Sequence, residues 1–503
     1  MRAIRAFREA WLTTGVLDEA EFSDPDARRF RYEVYWALYE NSAYRNIHPW
    51  ATKLKADYGL YKFIRSIFGM AFELGEFWRI HLMGGALDPA AGDGGAQPSC
   101  LPILTDNEGL RDSLATLWQS SNWATRKDVL TLWGAVMGDV GVKVIDDPTR
   151  GQVYLDIVHP GLLAEVATDA FGNVKGYTLE DERPDPRPNA QPGRAVVYTE
   201  IAGRDGDTVT YRTLLNGQPH AWNPETGAEW SEPYGFVPLV LIQHNNVGLS
   251  WGWSELHPAL SKVREVDDLA SVLGDQIRKI VNPVFAFIGA RKTEATLQMA
   301  GTAATPENPE AGRQDIPALY LPANASVTPL IANLDIAGAS GHLAKVLAAI
   351  EGMYPELTAE KLRLQGGLTG RALELAQQPA ISKALQRRAG YDHALVRAQQ
   401  MAVAIGGFKG YEGYAGFGLD SYGAGQLEHS IGGRPVFNVG EGATLDDELI
   451  FWQAASAAVQ AGLPLEAFLR RRGWSDADLA QMGTQRQAAI ALEQEDVIPE
   501  VGQ

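Results

Sequence analysis

Two short stretches carry residue types at spacings that chemistry uses. Residues 248–252 read GLSWG, the G-x-S-x-G pattern in which a serine on a sharp strand-to-helix turn becomes a nucleophile. An apolar run, VPLVLIQH, precedes it and a helical pattern follows, which is the order the motif wants. Ser250 would attack a carbonyl, with His342, His393 or His429 as base. Residues 366–376 read GGLTGRALELA, glycines and a threonine ahead of a helix-forming run, as in loops that cradle phosphates.

Each motif lacks part of what its chemistry requires. A phosphate loop of the G-x-x-x-x-G-K-[ST] kind needs a lysine for the phosphates and a hydroxyl for magnesium. Here only three residues separate Gly366 from Gly370, and Arg371–Ala372 follow. The bland reading is a flexible connection in which Thr369 caps the next helix. Asn245 and Asn246 separate the serine motif from its strand, and no HGGG-type oxyanion segment lies upstream. A serine esterase using Ser250 therefore stands as the alternative reading. The nine histidines show no H-E-x-x-H and no paired spacing. Asp267–Asp268 and Asp446–Asp447–Glu448 are adjacent carboxylates, which on a helix point to different faces and read as solvated charge. Neither a cofactor nor a metal is expected.

Composition narrows the partners. The chain has 503 residues, 45% hydrophobic, enough for a sizeable core in several parts. One cysteine, Cys100, excludes an internal disulfide framework and a cysteine-based zinc site. The net charge of −18 argues against a static grip on nucleic acid, which needs a basic surface. MRAIRAFREAWL is charged and amphipathic and lacks the apolar core of a secretory signal. No apolar stretch reaches the length of a membrane span.

The elements that would position these residues follow in blocks. Helical patterns cover 26–45, 59–82 and 108–138; their tryptophans read as core or interface rather than a base-stacking platform. From about 141 the pattern changes to short β-branched and aromatic runs between turn clusters such as DAFGN and GRDGD, an antiparallel β subdomain. The class is α+β. After Ser254, a candidate N-cap, Leu256, Leu260, Val263, Val266, Leu269, Leu273, Ile277 and Ile280 recur every three or four residues. They form one stripe of a helix of roughly 40 Å, stopped at Asn282–Pro283. VFAFI, ALYLP and SVTPL then read as a small β module, and a second helix returns over about 337–354. A further long helix is expected over 371–405, perturbed at Pro379 and ended by Gly406–Gly407. Residues 408–440 read as glycine- and aromatic-rich irregular structure, and 441–503 as short helices with Ser475 as one N-cap.

This order of parts resembles the portal proteins of tailed bacteriophages. HNNVGLSWGWSELHPALSKVREVDDLASVLGDQIRKIVNPVFAF resembles the portal segment in which a turn feeds a long stem helix that ends at a proline before the clip. GGLTGRALELA resembles the segment that begins the long helix after the tunnel loop, and VGEGATLDDELI resembles the C-terminal region. The resemblance spans about 30 to 490. It implies a wing of 1–253, a stem helix of 254–282, a clip of 283–334, a returning stem helix of 335–355, a tunnel loop of 356–370, a second wing portion of 371–440 and a crown of 441–503.

It further implies a homo-oligomeric ring, usually a dodecamer, at one capsid vertex of a virion assembled in the host cytoplasm. Double-stranded DNA would pass through its channel transiently and without sequence specificity. The partners would be the terminase large subunit, the major capsid and scaffolding proteins, and a head-completion or adaptor protein, with no membrane and no enzymatic activity. Lys361, Arg363, Gly366, Gly367, Thr369, Gly370 and Arg371 would lie at the tunnel loop, and Arg291, Lys292 and Arg313 on the motor-docking clip. An acidic conduit lets DNA slide where a basic one would hold it.

Overall fold

The computed structural model describes residues 24–40, 69–88, 99–187, 193–222, 227–281, 284–288, 296–298, 318–320, 326–330, 336–365, 370–437 and 441–471. The chain divides into two units, 1–364 with 377–434 and 365–376 with 435–503. Helices and antiparallel sheets are both present, and the class is α+β.

In the first unit, α1 (Pro25–Tyr39) opens on Asp24, whose carboxylate accepts from the Asp26 amide, with Pro25 at the first position. Helix α2 (Met70–Met83) follows. A two-residue strand β1 (Ile103–Leu104) precedes α3 (Glu108–Ser120), which Asn107 caps through the Leu110 amide. The helical pattern over 108–138 is two helices rather than one. Asn122 sits in the left-handed region at φ 49° and separates α3 from α4 (Trp123–Met137). Trp78, Trp118 and Trp123 are buried in this helical layer.

The β subdomain has two parts. Strands β2 (Asp139–Asp147) and β3 (Gln152–Val158) form one hairpin. Then β4 (Leu163–Thr168), β5 (Val174–Pro184), β6 (Ala195–Asp205), β7 (Thr208–Leu215) and β8 (Gln218–Pro219) run in sheet order, and β9 (Glu229–Glu232) pairs with β7. The DAFGN turn closes on Asp169, whose side chain accepts from the Phe171 and Asn173 amides, with Gly172 at φ 80°. Strand β10 (Leu239–Gln243) returns to pair with β2, giving the order β10-β2-β3. Lys143 of β2 pairs with Glu200 of β6, both nearly buried, and Tyr198 donates to Glu200 at 2.7 Å.

The stem-like helix starts later than its apolar stripe suggests. His257–Ala259 form a 3-10 turn, and α5 runs from Leu260 to Val281. Ser254 is not its N-cap: the hydroxyl donates to the Val136 carbonyl at 2.6 Å and accepts from the Leu256 amide. Strands β11 (Val284–Ile288), β12 (Thr296–Gln298), β13 (Ala318–Tyr320) and β14 (Ser326–Leu330) pair as β11 with β14 and β12 with β13. Helix α6 (Ile336–Glu351) returns. Leu260, Val263 and Val266 share one buried cluster with Ile350 and Tyr354, so the start of α5 lies beside the end of α6 and the pair is antiparallel.

Helix α7 (Pro355–Gln365) occupies most of the stretch expected as a loop over 356–370. The reason is local. Pro355 stands at the first position, Glu356 complements the dipole in the first turn, and Leu, Ala, Lys and Arg favour helix. Leu357 and Ala359 are buried and hold it in place.

Helix α8 (Gly370–Phe408) begins one residue earlier than expected and runs unbroken through Pro379. One missing hydrogen bond is outweighed by burial of Ala380, Ala384, Tyr391, Leu395 and Ala398. Gly406 and Gly407 lie inside this helix and do not end it. A Cβ would come within 2.6 Å of the Tyr414 ring at Gly406 and 2.2 Å of the Phe417 carbonyl at Gly407. They are glycines because the 411–418 loop packs against the helix backbone. Within 408–437 only β15 (Ser430–Ile431) is a strand, pairing with β1.

In the second unit, α9 (Glu441–Gln460) and α10 (Leu465–Arg471) are joined by the turn at Gly462–Pro464. Gly462 adopts φ 89°, and Phe451 meets Phe468 at 5.8 Å between ring centroids. Ser475 lies outside the described residues.

Candidate functional site

The joint between strand β10 and the α5–α6 hairpin is densely bonded. Gly138 and Gly252 let two backbones meet there. Gly138 has φ 98°, and a Cβ on it would lie 2.5 Å from the Ser254 nitrogen; a Cβ on Gly252 would lie 2.6 Å from the Gly138 carbonyl. The Gly252 amide donates to Asp139 at 2.7 Å, and the Glu255 amide donates to the Ala135 carbonyl at 3.0 Å. Asp139 is fully buried, and burial pushes its carboxyl up to about 7 against the pull of Gly252, Tyr32, Arg28 and Arg31.

Beside this joint sits a buried polar hub. His244 directly follows β10, with one ring nitrogen 3.1 Å from Glu255 Oε1 and the other 2.9 Å from the Tyr391 hydroxyl. Burial lowers the His244 pKa, so the ring is neutral. An ionised carboxylate only accepts, which assigns the proton to Nε2 and leaves Nδ1 to accept from Tyr391. Glu255 also accepts from Arg387 at 3.0 Å and Lys383 at 2.8 Å. Burial alone would raise its pKa; His244, Lys383 and Arg387 outweigh that and hold the carboxyl well below the usual range.

Lys383 reaches a second carboxylate, Glu356 at the start of α7, at 2.6 Å. Glu356 is fully buried, and its Oε2 has no hydrogen-bond partner among the described residues. Burial raises its pKa despite the lysine, and Glu255 adds like-charge repulsion. Tyr354 donates to the Glu255 carbonyl at 2.6 Å. One lysine on α8 thus ties the entry to α5 and the start of α7 together. The Glu255 carboxylate accepts from three side-chain donors, two on Oε1 and one on Oε2. The arrangement fixes the geometry of this joint.

The sequence pointed elsewhere. Ser250 lies on an exposed bend; no hydrogen bond joins it to a histidine among the described residues, and its φ is not positive. His342 and His393 are exposed, and His429 lies between the Gln399 side chain and the Leu427 carbonyl. The preceding strand belongs to an antiparallel sheet, so the strand–turn–helix setting of a nucleophile elbow is not formed. In GLSWG the buried residues are Trp251, under the Arg28 guanidinium at 3.6 Å, and Gly252. Ser250→Ala is therefore expected to leave folding unchanged, and a serine-reactive phosphonate is expected to leave the protein unlabelled by mass spectrometry; stoichiometric labelling of Ser250 would show an activated serine.

Of the residues expected at a tunnel loop, Lys361 and Arg363 lie on α7 and Gly370 and Arg371 open α8. Lys361 pairs with Glu351 and is half exposed, a contact worth at most about 1 kcal/mol. Gly366, Gly367 and Thr369, and Arg291, Lys292 and Arg313, expected on a clip, lie outside the described residues. Sequence reading missed His244, Glu255, Glu356, Lys383 and Arg387. The one available signal was the i,i+4 spacing of Lys383 and Arg387, which puts two cations on one helix face.

Among the described residues no helix is long and apolar enough to cross a membrane, and no three His, Cys, Asp or Glu side chains gather as a metal site would need. No protein-family model matches the chain, and no curated protein matches its sequence.

Proposed function

We propose that this protein is a portal-type subunit. It assembles into a ring through which double-stranded DNA is packaged into a capsid and later ejected. The observation that carries the self-association is α6. Its sequence, IAGASGHLAKVLAAIE, is apolar almost all round. Only Leu343, Val346, Leu347 and Ile350 turn toward the buried cluster, while Ala344, Ala348 and Ala349 are exposed in the single chain. A helix without a polar face needs neighbours on more than one side. Repeating the hairpin around an axis supplies them.

The resemblance of the stem, tunnel and crown segments supports the same reading, as does the acidic balance suited to a conduit. The buried hub would then fix the root of each stem hairpin to its own wing. Residues 283–334 would be the clip and offer the docking surface for the terminase motor and head-completion proteins. Lys361, Arg363 and Arg371 would touch phosphates only transiently.

Mass measurement and negative-stain imaging of the purified protein test the reading. A large ring with a central hole is the expected result, and a monomer or dimer would overturn it. Replacing residues 291–315 with a short Gly/Ser linker is expected to leave the ring assembled and to abolish motor docking, because surface loops tolerate replacement where they carry no core. Normal packaging by that variant, read as DNA protected from nuclease, would refute the clip assignment.

A further inference from the structure

A cleft of about 820 Å³ opens between α1, α4 and strands β5 and β6. Its walls include Trp36, Trp133 and Val197, and His159 sits against Trp133 with ring centroids 5.0 Å apart. Its rim is acidic. Arg29 answers Glu180 at 2.7 Å, and Arg183 answers Asp181 at 2.9 Å. Glu33 and Glu182 have no ion-pair or hydrogen-bond partner among the described residues. Indole faces and carboxylates with no partner among the described residues together suit a cationic, amphipathic occupant, whose guanidinium groups can meet carboxylates and aromatic faces at once.

The chain carries such a segment. Residues 1–12, MRAIRAFREAWL, hold Arg2, Arg5 and Arg8 against the single Glu9, a net +2 in a chain of net −18. Written on a helix, Ile4, Phe7 and Trp11 fall on one stripe and the arginines on the adjacent one. The tether is long enough. The stretch from Leu12 to Asp24 spans up to about 40 Å when extended, whereas α1, whose side forms the cleft, is only about 22 Å long.

We propose that residues 1–12 dock in this cleft of their own subunit, setting Phe7 and Trp11 against its apolar walls and the arginines against Glu33 and Glu182. The docked segment would cover an apolar surface that the acidic rim alone leaves open to water. This proposal is independent of the ring reading.

The test replaces Phe7 with the photo-reactive benzoylphenylalanine in the full chain and maps adducts by mass spectrometry. The expected adducts fall on peptides containing Trp36 or Val197. Arg5→Glu is expected to lower their yield about tenfold, because like charges then face each other. Combining it with Glu182→Arg is expected to restore the yield. Mixing isotopically heavy and light protein before assembly separates the two possible arrangements. Adducts within one copy support the proposal. Adducts joining heavy to light copies, adducts elsewhere, or a yield insensitive to the charge swap would each overturn it.

Discussion

Replacing Lys383 by methionine is expected to remove about 3–5 kcal/mol of stability near neutral pH, the usual cost of taking one partner from a buried ion pair. The loss is not that of a single contact. Glu255 keeps His244 and Arg387, but Glu356 loses the one cation that pairs with it among the described residues while remaining fully buried. Methionine matches the length of the stem, so cavity formation contributes little. Lys383→Arg, which keeps the charge, is expected to recover part of the loss.

The pH dependence has a definite sign. A buried Glu356 without its lysine holds a proton to higher pH than an unfolded glutamate, whose ordinary value is near ~4.3. Between those two values the folded state binds more protons than the unfolded one, so stability falls as pH rises. Glu255 behaves the opposite way. Its depressed carboxyl contributes stability present above the unfolded value and lost as pH falls toward the folded one. The deficit of Lys383→Met relative to the parent is therefore expected to shrink on acidification. Urea unfolding at fixed protomer concentration, at about pH 5 and about pH 8, measures it. A deficit independent of pH would mean that packing, not charge, is what Lys383 supplies.

These residues show where sequence legibility stops. The stripe through Val263 and Val266 announces a helix because apolar spacing reports one face directly. Strands β2 to β7 announce themselves through β-branched runs and turn residues. The class and the block order were legible for that reason. The exceptions have two causes. Ser254 has the identity of an N-cap, yet its hydroxyl is already committed to Val136. Gly406 and Gly407 have the identity of a stop, yet they permit the 411–418 loop to approach the helix. Residues 356–365 were assigned to a loop through the likeness of their neighbours, although their own propensities favour helix. For residues 356–365 the local propensities decided the outcome; for Ser254 and the two glycines a contact outside the local stretch did. The hub is illegible for the second reason: Glu255 and Lys383 are 128 residues apart, and nothing nearby distinguishes them from solvated charge.

The second large effect concerns assembly rather than folding. Ala344 and Ala348 lie four residues apart on one exposed face of α6. On a solvent face, glutamate at two such sites changes stability by no more than about 0.5 kcal/mol each, since it is a good helix former and buries nothing. In a ring the same positions face another subunit. There two carboxylates would be desolvated in every interface, and burying unpaired charge costs several kcal/mol per group. Ala344→Glu/Ala348→Glu is therefore expected to yield a folded subunit with unchanged far-ultraviolet circular dichroism that no longer forms the large species in light scattering. Its opposite-charge counterpart, Ala344→Lys/Ala348→Lys, is expected to fail in the same way, because either sign is buried without a partner. The comparison separates this idea from a general folding defect, which would lower the dichroism as well. Rings of parental mass from the glutamate variant would remove α6 from the interface, and the argument for self-association would lose the observation it rests on.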